Sequence, residues 1–348
     1  MPILARRNVV RPLLAATLVG GLTAGLAVQR TPVGASAAAS PIVALPGYQV
    51  SVFARGGAYS NPDPIVYDRG HVFVSYANLA AKDGTGSGAT TIVEYDLSGK
   101  VLRTFSTPGH GDGMRVNPTT HQLWALSNED ANPLLFIIDP ATGRTTRYTF
   151  PKTPHGGGYD DIAFTHGMIF MDASNPNLDK ASVNVYPALD RVTLHGNSVS
   201  VTPVLMGNAM ATDLASHTKM QLNLIDPDSL TFNPQGNLVL DNQAGAQQVF
   251  ISNPGTPLQY VTVSPVGTQV DDTVWATAAQ GRLLMSDTKA NVIYQIRATF
   301  EPDTAYATTQ SDSGVTGMVG TVAPLTGYVT PVAIGFGSPH GMIFVPGM

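Results

Sequence analysis

The amino-acid sequence predicts an all-β fold, a six-bladed β-propeller, from three observations. An acidic residue recurs five times directly before a pair of short apolar runs. The marked residues lie 44 to 68 residues apart, close to the ~50-residue period of some propeller blades. Glycine and proline number 35 and 26 of the 348 residues, as a chain with many tight turns requires.

The marked residues hold the same place in each repeat, and a sixth, degenerate copy ends the chain. They are Asp63, Asp112, Asp161, Asp228 and Asp272, with His340 in the last copy. Each repeat has the pattern of a four-stranded blade, and in the first the strands are expected at 65–67, 72–76, 91–95 and 101–105. These runs are rich in Val, Ile, Phe and Tyr and are bounded by turn residues.

The fifth repeat is expected to place residues 273–276 beside residues 281–285 in one blade. The last blade is expected to combine residues 340–345 with the N-terminal run 47–53. Pairing of these N- and C-terminal strands would close the ring and remove open sheet edges. Two alternatives stay open, namely a seventh blade formed by residues 300–335 and a β-sandwich array.

The N-terminus has the pattern of an export signal, predicted over residues 1–37, followed by one propeller domain at 38–348. Arg6 and Arg7 precede an apolar stretch at 13–28 and a small-residue cleavage motif at 35–37. The arginine pair is typical of twin-arginine export, with ordinary secretion as the alternative and an uncleaved membrane anchor as the rival. The mature protein is therefore expected in the periplasm or outside the cell, without membrane attachment.

The composition excludes cysteine-based chemistry and argues against one class of partner, nucleic acid. The sequence contains no cysteine, which excludes disulfides, thiolate nucleophiles and cysteine-ligated metals. A net charge of −5 argues against nucleic acid as a partner. The expected partner is a small-molecule ligand at the channel mouth, and the expected state is a monomer.

One face of the predicted propeller is the better candidate for function. Connections between blades, and between the second and third strands of a blade, are long or polar, whereas those on the opposite face are short turns. Long polar loops on a rigid scaffold commonly carry binding sites.

Several histidines and carboxylates converge on that face in the predicted topology. The candidate metal ligands are His110, His155, His340, Asp63, Asp160, Asp228 and Asp271. Imidazoles would favour Zn²⁺, and carboxylates would favour Ca²⁺. The candidate catalytic acids and bases are Asp112, Asp161 and Asp272. In the alternative interpretation each Asp stabilises its own turn and the histidines line a polar channel.

A resemblance to a known family rests on the second repeat. The run Asp112-Gly113-Met114-Arg115-Val116, with Leu123-Trp124-Ala125, resembles a strand start in the gluconolactonase and senescence marker protein family, which belongs with NHL-repeat proteins among six-bladed propellers. The resemblance implies a divalent cation at the channel mouth, held by Glu, Asn and Asp, and an Asp that acts as base in lactone hydrolysis. Asp112 matches the motif, while Asp63-Pro64 stands where the family has a Glu before a Pro.

These observations predict an exported propeller that binds or hydrolyses a small molecule, with a divalent metal, Ca²⁺ or Zn²⁺, as cofactor. One alternative is a non-catalytic scaffold for a protein or glycan. Another is a zinc-dependent lyase that uses the three histidines His110, His155 and His340.

Overall fold

The computed structural model describes residues 41–310 and 316–347, so the export signal predicted for residues 1–37 lies outside the described residues. Strands and turns make up this part of the chain. The first half contains β1 (Val43–Ala44), β2 (Gln49–Arg55), β3 (Pro62–Asp68), β4 (His71–Tyr76), β5 (Ala89–Asp96), β6 (Val101–Pro108), β7 (Gly111–Val116), β8 (Leu123–Ser127), β9 (Leu134–Ile138), β10 (Thr145–Thr149), β11 (Ile162–Thr165), β12 (Met168–Asp172) and β13 (Pro187–His195). The second half contains β14 (Ser198–Met206), β15 (Met210–Asp213), β16 (Lys219–Gln221), β17 (Pro227–Phe232), β18 (Leu238–Asn242), β19 (Gln247–Ser252), β20 (Tyr260–Pro265), β21 (Thr273–Trp275), β22 (Gly281–Asp287), β23 (Val292–Arg297), β24 (Ala305–Thr309), β25 (Gly317–Ala323), β26 (Tyr328–Phe336) and β27 (Pro339–Pro346). Within these described ranges no helix is long and apolar enough to cross a membrane.

Over residues 41–310 and 316–347 the strands form six blades, which confirms the predicted fold class. From the axis outwards, blade 1 is β3-β4-β5-β6, blade 2 is β7-β8-β9-β10, and blade 3 is β11-β12-β13-β14. Blade 4 is β17-β18-β19-β20 with β15 and β16 outside it, blade 5 is β21-β24-β25-β26-β1, and blade 6 is β27-β22-β23-β2. The inner strands β3, β7, β11, β17, β21 and β27 each contact the next, and β27 contacts β3. This closed ring defines the axis.

The hydrophobic core lies between neighbouring blades. Val66 and Ile92 of blade 1, for example, pack in one buried cluster with Met114 and Leu123 of blade 2. Side chains alternate between the two faces of each strand, so a central strand contributes to the interfaces on both sides. Burial of this apolar surface holds the blades together as a rigid ring.

The pairing expected for the fifth repeat is wrong. Trp275 of β21 pairs with Ala305 of β24, whereas Leu284 of β22 pairs with Ile343 of β27, so the repeat is divided between blades 5 and 6. The alternating pattern of a strand determines which face is buried and does not determine its partner. The result is an exchange in which the chain leaves blade 5, contributes two strands to blade 6 and then returns.

The two ends of the chain both contribute to blade 6, but they do not pair with each other as expected. β27 is the innermost strand and pairs with β22, while β2 is the outermost and pairs with β23. The preceding strand β1 pairs with β26 in blade 5, through Val43 and Ile334. The chain ends therefore cover both edges of the β22–β23 hairpin.

Engineered disulfides can test the exchanged pairing, because the native sequence contains no cysteine. We expect the double variant Leu284→Cys, Ile343→Cys to oxidise to an intramolecular disulfide, since these residues are register partners in adjacent strands. Peptide mass spectrometry under non-reducing conditions measures the link. The control is Val274→Cys, Leu284→Cys, a pair near each other only in the hairpin expected from sequence; a link in the control alone would contradict the topology.

Candidate functional site

An acidic cavity of about 250 Å³ lies on the axis, at the face formed by the inter-blade connections and the loops after the second strands. Among the described residues, ten carboxyl groups line it: Asp63, Asp112, Glu129, Asp130, Asp160, Asp161, Asp226, Asp228, Asp271 and Asp272. The basic residues in its lining are Lys82, Arg115 and His340. The cavity is therefore on the face that the loop pattern favours and is strongly negative when its carboxyl groups are ionised.

Four of the marked residues reach the cavity in the same way. Asp63, Asp112, Asp228 and His340 are each the second residue of an inner strand, and all four line the cavity. Because the inner strands start at one face and surround the axis, equivalent positions on them meet there.

A glycine after the marked residue allows this close approach. A Cβ atom on Gly113 would overlap the backbone carbonyl of Asp160 in the connection to blade 3. A Cβ on Gly341 would likewise press on the carbonyl of Asp63 in blade 1. Glycine at these positions lets adjacent blades approach each other closely.

Two pairs of adjacent Asp residues, the doublets Asp160-Asp161 and Asp271-Asp272, each have one member that bonds to the next blade and one that faces the cavity. The second members, Asp161 and Asp272, accept hydrogen bonds from the backbone N–H of the next blade. Asp161 Oδ2 lies 2.9 Å from Leu230 N, and Asp272 Oδ2 lies 2.7 Å from Met342 N. These carboxylates thus link blade 3 to blade 4 and blade 5 to blade 6. Asp161 also bonds its own turn, as the alternative from sequence expected, because its Oδ1 accepts a hydrogen bond from Ile162 N at 2.7 Å.

The first members of the doublets have partners within the cavity. Asp271 Oδ2 accepts a hydrogen bond from Gln243 Nε2 at 2.7 Å and another from the Gln310 amide. Asp160 is buried near Asp112 and Asp228, and burial followed by the charges of these neighbours raises its pKa well above the usual value. Asp160 and Asp271 are therefore the doublet members available to a ligand.

Arg115 forms the floor of the acidic cavity. Its guanidinium pairs with Asp161 and donates to the Leu230 carbonyl at 2.7 Å, so one side chain of blade 2 connects blades 3 and 4. On its other side Arg115 also borders a largely apolar opening lined by Tyr67, Phe232 and other side chains. The channel is thus divided into an acidic mouth and an apolar mouth.

His340 forms ion pairs within the cavity. Its Nδ1 lies 3.1 Å from Asp63 Oδ2 and 3.3 Å from Asp271 Oδ2. Burial alone would lower the pKa of His340, but the charges of Asp63 and Asp271 raise it well above its usual value. The two carboxylates thus favour the protonated form of His340.

A second group contains His110, Asp112 and Glu129. His110 Nε2 lies 3.9 Å from Asp112 Oδ2 and 3.8 Å from Glu129 Oε1, and Lys82 Nζ lies 2.5 Å from the same Glu129 oxygen. In this group, as in the group of His340, Asp63 and Asp271, the three potential ligand atoms lie within 4.8 Å of one another. One imidazole and two carboxylates form a donor set that suits Zn²⁺ or another first-row divalent cation.

Of the three histidines only His340 lines the cavity, so they do not converge as the sequence predicted. His110 adjoins the cavity beside Asp112 and Glu129, whereas His155 is turned into its own loop. Its ring is fully buried, with Nε2 2.7 Å from the Gly158 carbonyl and an edge-to-face contact with Tyr159. The turn at residues 156–158 directs the imidazole ring of His155 back into its own loop. The loop supports the cavity indirectly, since Gly158 N donates to the Glu129 carbonyl at 2.6 Å.

Sequence reasoning missed Lys82, Arg115, Glu129 and Asp226 as cavity residues. Lys82 and Glu129 come from polar loops that follow the second strands of blades 1 and 2, and no repeated pattern marks either position. Arg115 stands within the Asp112 motif and could have been identified as a charged residue on an inner strand. Asp226 precedes the marker Asp228 by two residues.

Crowding of carboxyl groups opposes their ionisation. Burial and the charge of Asp63 raise the pKa of Asp112 to about 6, and burial is also the main cause that raises the pKa of Asp226 to about 6. Burial and neighbouring carboxylates raise the pKa values of Glu129 and Asp228 well above the usual range. A bound cation would replace protons that the cavity otherwise retains.

Comparisons with known proteins found similar structures at low sequence identity. No family model matches the sequence, and no curated protein matches it. The similar structures include a periplasmic gluconolactonase of Pseudomonas aeruginosa, at 13% identity and a TM-score of 0.47 over 82% of this chain and 88% of that one. They also include virginiamycin B lyase from Staphylococcus aureus, at 14% identity and a TM-score of 0.43 over 75% and 95% of the two chains. The assignment of the fold depends on the sheet topology described above.

The buried carboxyl groups predict that the metal-free protein loses stability as pH rises. Burial raises the pKa of Asp272 from 3.8 to about 8, so the folded state holds its proton more tightly than the unfolded state. That contribution is fully present below pH ~4 and is lost as pH rises towards about 8. In chelator, the free energy of unfolding from urea titrations should therefore fall between about pH 5 and about pH 8.

The variant Asp272→Asn tests this assignment, because it removes the ionisation and keeps an oxygen for Met342 N–H. Its loss of stability over the same pH interval should be smaller by up to about 3–4 kcal/mol, since each pH unit between the two pKa values is worth about 1.4 kcal/mol. Asp303→Asn, a change in an exposed turn, is the control. Equal pH dependence in the wild type and Asp272→Asn would contradict the prediction.

Replacement of Arg115 should destabilise the ring in a pH-dependent way. Arg115→Met leaves the carboxylate of Asp161 buried without its cation, which we expect to cost about 3 kcal/mol at pH ~8. The cost should be smaller at pH ~5, where Asp161 can take up a proton, because burial already raises its pKa. Urea unfolding measures both values, with the exposed Arg144→Met as control; a cost independent of pH would refute this explanation.

Proposed function

We propose that the protein is a divalent-cation-dependent enzyme that hydrolyses a small ester or lactone at the acidic mouth of the propeller channel. The main support is the cavity itself, where ten carboxyl groups and His340 surround about 250 Å³ with Lys82 and Arg115 as the permanent cations. So many buried carboxyl groups carry protons or bind cations, because each unpaired buried charge is costly. A divalent cation would compensate this excess.

The donors present fit such a cation. Each of the two groups centred on His110 and His340 offers one imidazole nitrogen and two carboxylate oxygens. Further oxygens from Asp160 and Asp228 are available in the same cavity. The cavity, of about 250 Å³, can hold a small molecule.

Groups in the cavity lining can supply both an acid and a base to such a ligand. A bound divalent cation would polarise a substrate carbonyl. Asp226, which lines the cavity outside both histidine groups and whose pKa burial raises to about 6, can accept a proton from a water molecule in its ionised form. His340, whose protonated form Asp63 and Asp271 favour, can donate a proton to a leaving oxygen.

The ester or lactone class follows from the resemblance of Asp112-Gly113-Met114 to the gluconolactonase motif. The zinc lyase with three histidines has no comparable support, since His155 is buried outside the cavity. A non-catalytic module with the same ligand site would bind the cation and the ligand without turnover. The N-terminal pattern of Arg6, Arg7 and residues 13–28 supports export to the periplasm or beyond.

Metal analysis combined with turnover tests the proposed function. The purified full chain should contain about one divalent cation after exposure to Mn²⁺, Zn²⁺ or Ca²⁺, as measured by mass spectrometry of the metals. Hydrolysis of a panel of aldonolactones and nitrophenyl esters should stop in chelator and return when the cation is restored.

The proton donor can be tested in the same assay. His340→Gln should lower kcat by about 10²–10⁴-fold while His166→Gln, on an exposed turn of the opposite face, leaves it unchanged. Cation binding without turnover on any substrate would favour the binding module. A chain that binds no cation and whose stability is indifferent to chelator would refute the proposal.

A further inference from the structure

We propose that the divalent cation binds to His110, Asp112 and Glu129, and that the ammonium of Lys82 is a tethered competitor for that position. The inference rests on the proposed function insofar as the cavity must bind a divalent cation. The inference adds which of the two histidine groups binds the cation and which residue limits the affinity for the cation.

The first support is the fixed orientation of the His110 ring. Its Nδ1 lies 2.9 Å from the Ala80 carbonyl oxygen, which can only accept a hydrogen bond, so Nδ1 carries a proton. Histidines that ligate metals commonly donate their other N–H to a backbone carbonyl in this way. The opposite nitrogen, Nε2, is thereby directed at Asp112 and Glu129.

The second support is the spacing around His110 Nε2. Its distances to the nearest oxygens of Glu129 and Asp112, 3.8 and 3.9 Å, are too long for hydrogen bonds. Two metal–ligand bonds of about 2.0–2.2 Å that diverge from one ion span a gap of this size. An imidazole nitrogen that faces two ionised carboxyl groups is in an electrostatically unfavourable position until a cation or a proton lies between them.

The group around His340 differs in both respects. Its Nδ1 is within hydrogen-bonding distance of Asp63 and Asp271, and its Nε2 lies 3.2 Å from Ser338 Oγ. Both ring nitrogens thus have hydrogen-bonding partners. The His340 group is arranged as an ion pair, whereas the His110 group leaves space for an ion.

Lys82 occupies one side of that space. Its Nζ lies 2.5 Å from Glu129 Oε1, the same oxygen that faces His110 Nε2. A divalent cation bound to this oxygen would lie a few ångströms from the ammonium, and like charges at such a distance repel strongly. Because 58% of the Lys82 side chain is exposed, the ammonium can move into solvent when a cation binds.

The backbone of the Lys82 loop can stay in place during this exchange. Residues 77–88 follow the second strand of blade 1 and are bonded to the corresponding loop of blade 2. Asp130 N donates to the Lys82 carbonyl at 3.1 Å, and Asn132 Nδ2 donates to the Asp83 carbonyl at 3.0 Å. One loop therefore orients the His110 ring through Ala80 and positions the competing ammonium.

Calorimetric titration of Zn²⁺ and Mn²⁺ into the chelator-treated full chain tests the inference. Lys82→Met removes the charge and keeps most of the side-chain length, so it should raise cation affinity about tenfold or more. Lys82→Arg keeps the charge and should leave affinity within about threefold of wild type.

The position of the cation is tested with variants of both groups. His110→Gln should weaken Zn²⁺ binding by at least about tenfold, and His340→Gln should weaken it by less than about threefold. Glu129→Gln is a second variant of the first group, and thermal unfolding in chelator verifies that each variant is folded.

The outcomes separate this inference from the proposed function. Unchanged affinity in Lys82→Met would overturn the competitor role. Binding that survives His110→Gln and Glu129→Gln but is lost in His340→Gln would move the cation to the other group, while the proposed function would stand. Absence of cation binding in every protein, including Lys82→Met, would overturn both.

Discussion

Closure of six inner strands around one axis is the constraint on which the rest of the structure depends. Each inner strand starts at the same face, so residues that are far apart in sequence occupy equivalent positions around a narrow channel. A single carboxylate on one blade would have little electrostatic cost. When a carboxylate recurs at the same position on neighbouring blades, the groups are crowded and buried, and their charges repel one another. The electrostatics of the cavity is therefore a direct result of the repeat.

Some of these carboxylates stabilise the contacts between blades. Asp161 and Asp272 bond to backbone N–H groups of the next blade, and Arg115 joins Asp161 to the Leu230 carbonyl. These interactions are made at the same depth as the cavity, so the floor of the site is also part of the inter-blade contacts. Ligand chemistry is left to the groups above that floor.

Much of the fold could be predicted from the sequence, because blade period and strand alternation are local properties. The positions of Asp63, Asp112, Asp228 and His340 at the axis followed from the repeat. The partners of β21 and β22 did not, since their apolar patterns suit either neighbour. Loop residues such as Lys82 and Glu129 reach the cavity through irregular backbone that no period describes, and His155 is turned away by the glycines that follow it.

The exchange of strands between blades 5 and 6 has a consequence for the order of folding. Blade 6 needs the N-terminal strand β2, the internal hairpin β22–β23 and the C-terminal strand β27, so it cannot be complete until almost the whole chain has been synthesised. Such long-range pairing slows folding, because distant segments must meet before they gain stabilising contacts. In return, the N-terminal segment is anchored in two blades, through β1 in blade 5 and β2 in blade 6, so its release requires strand pairing to be lost in both, which favours slow unfolding and a long-lived native state.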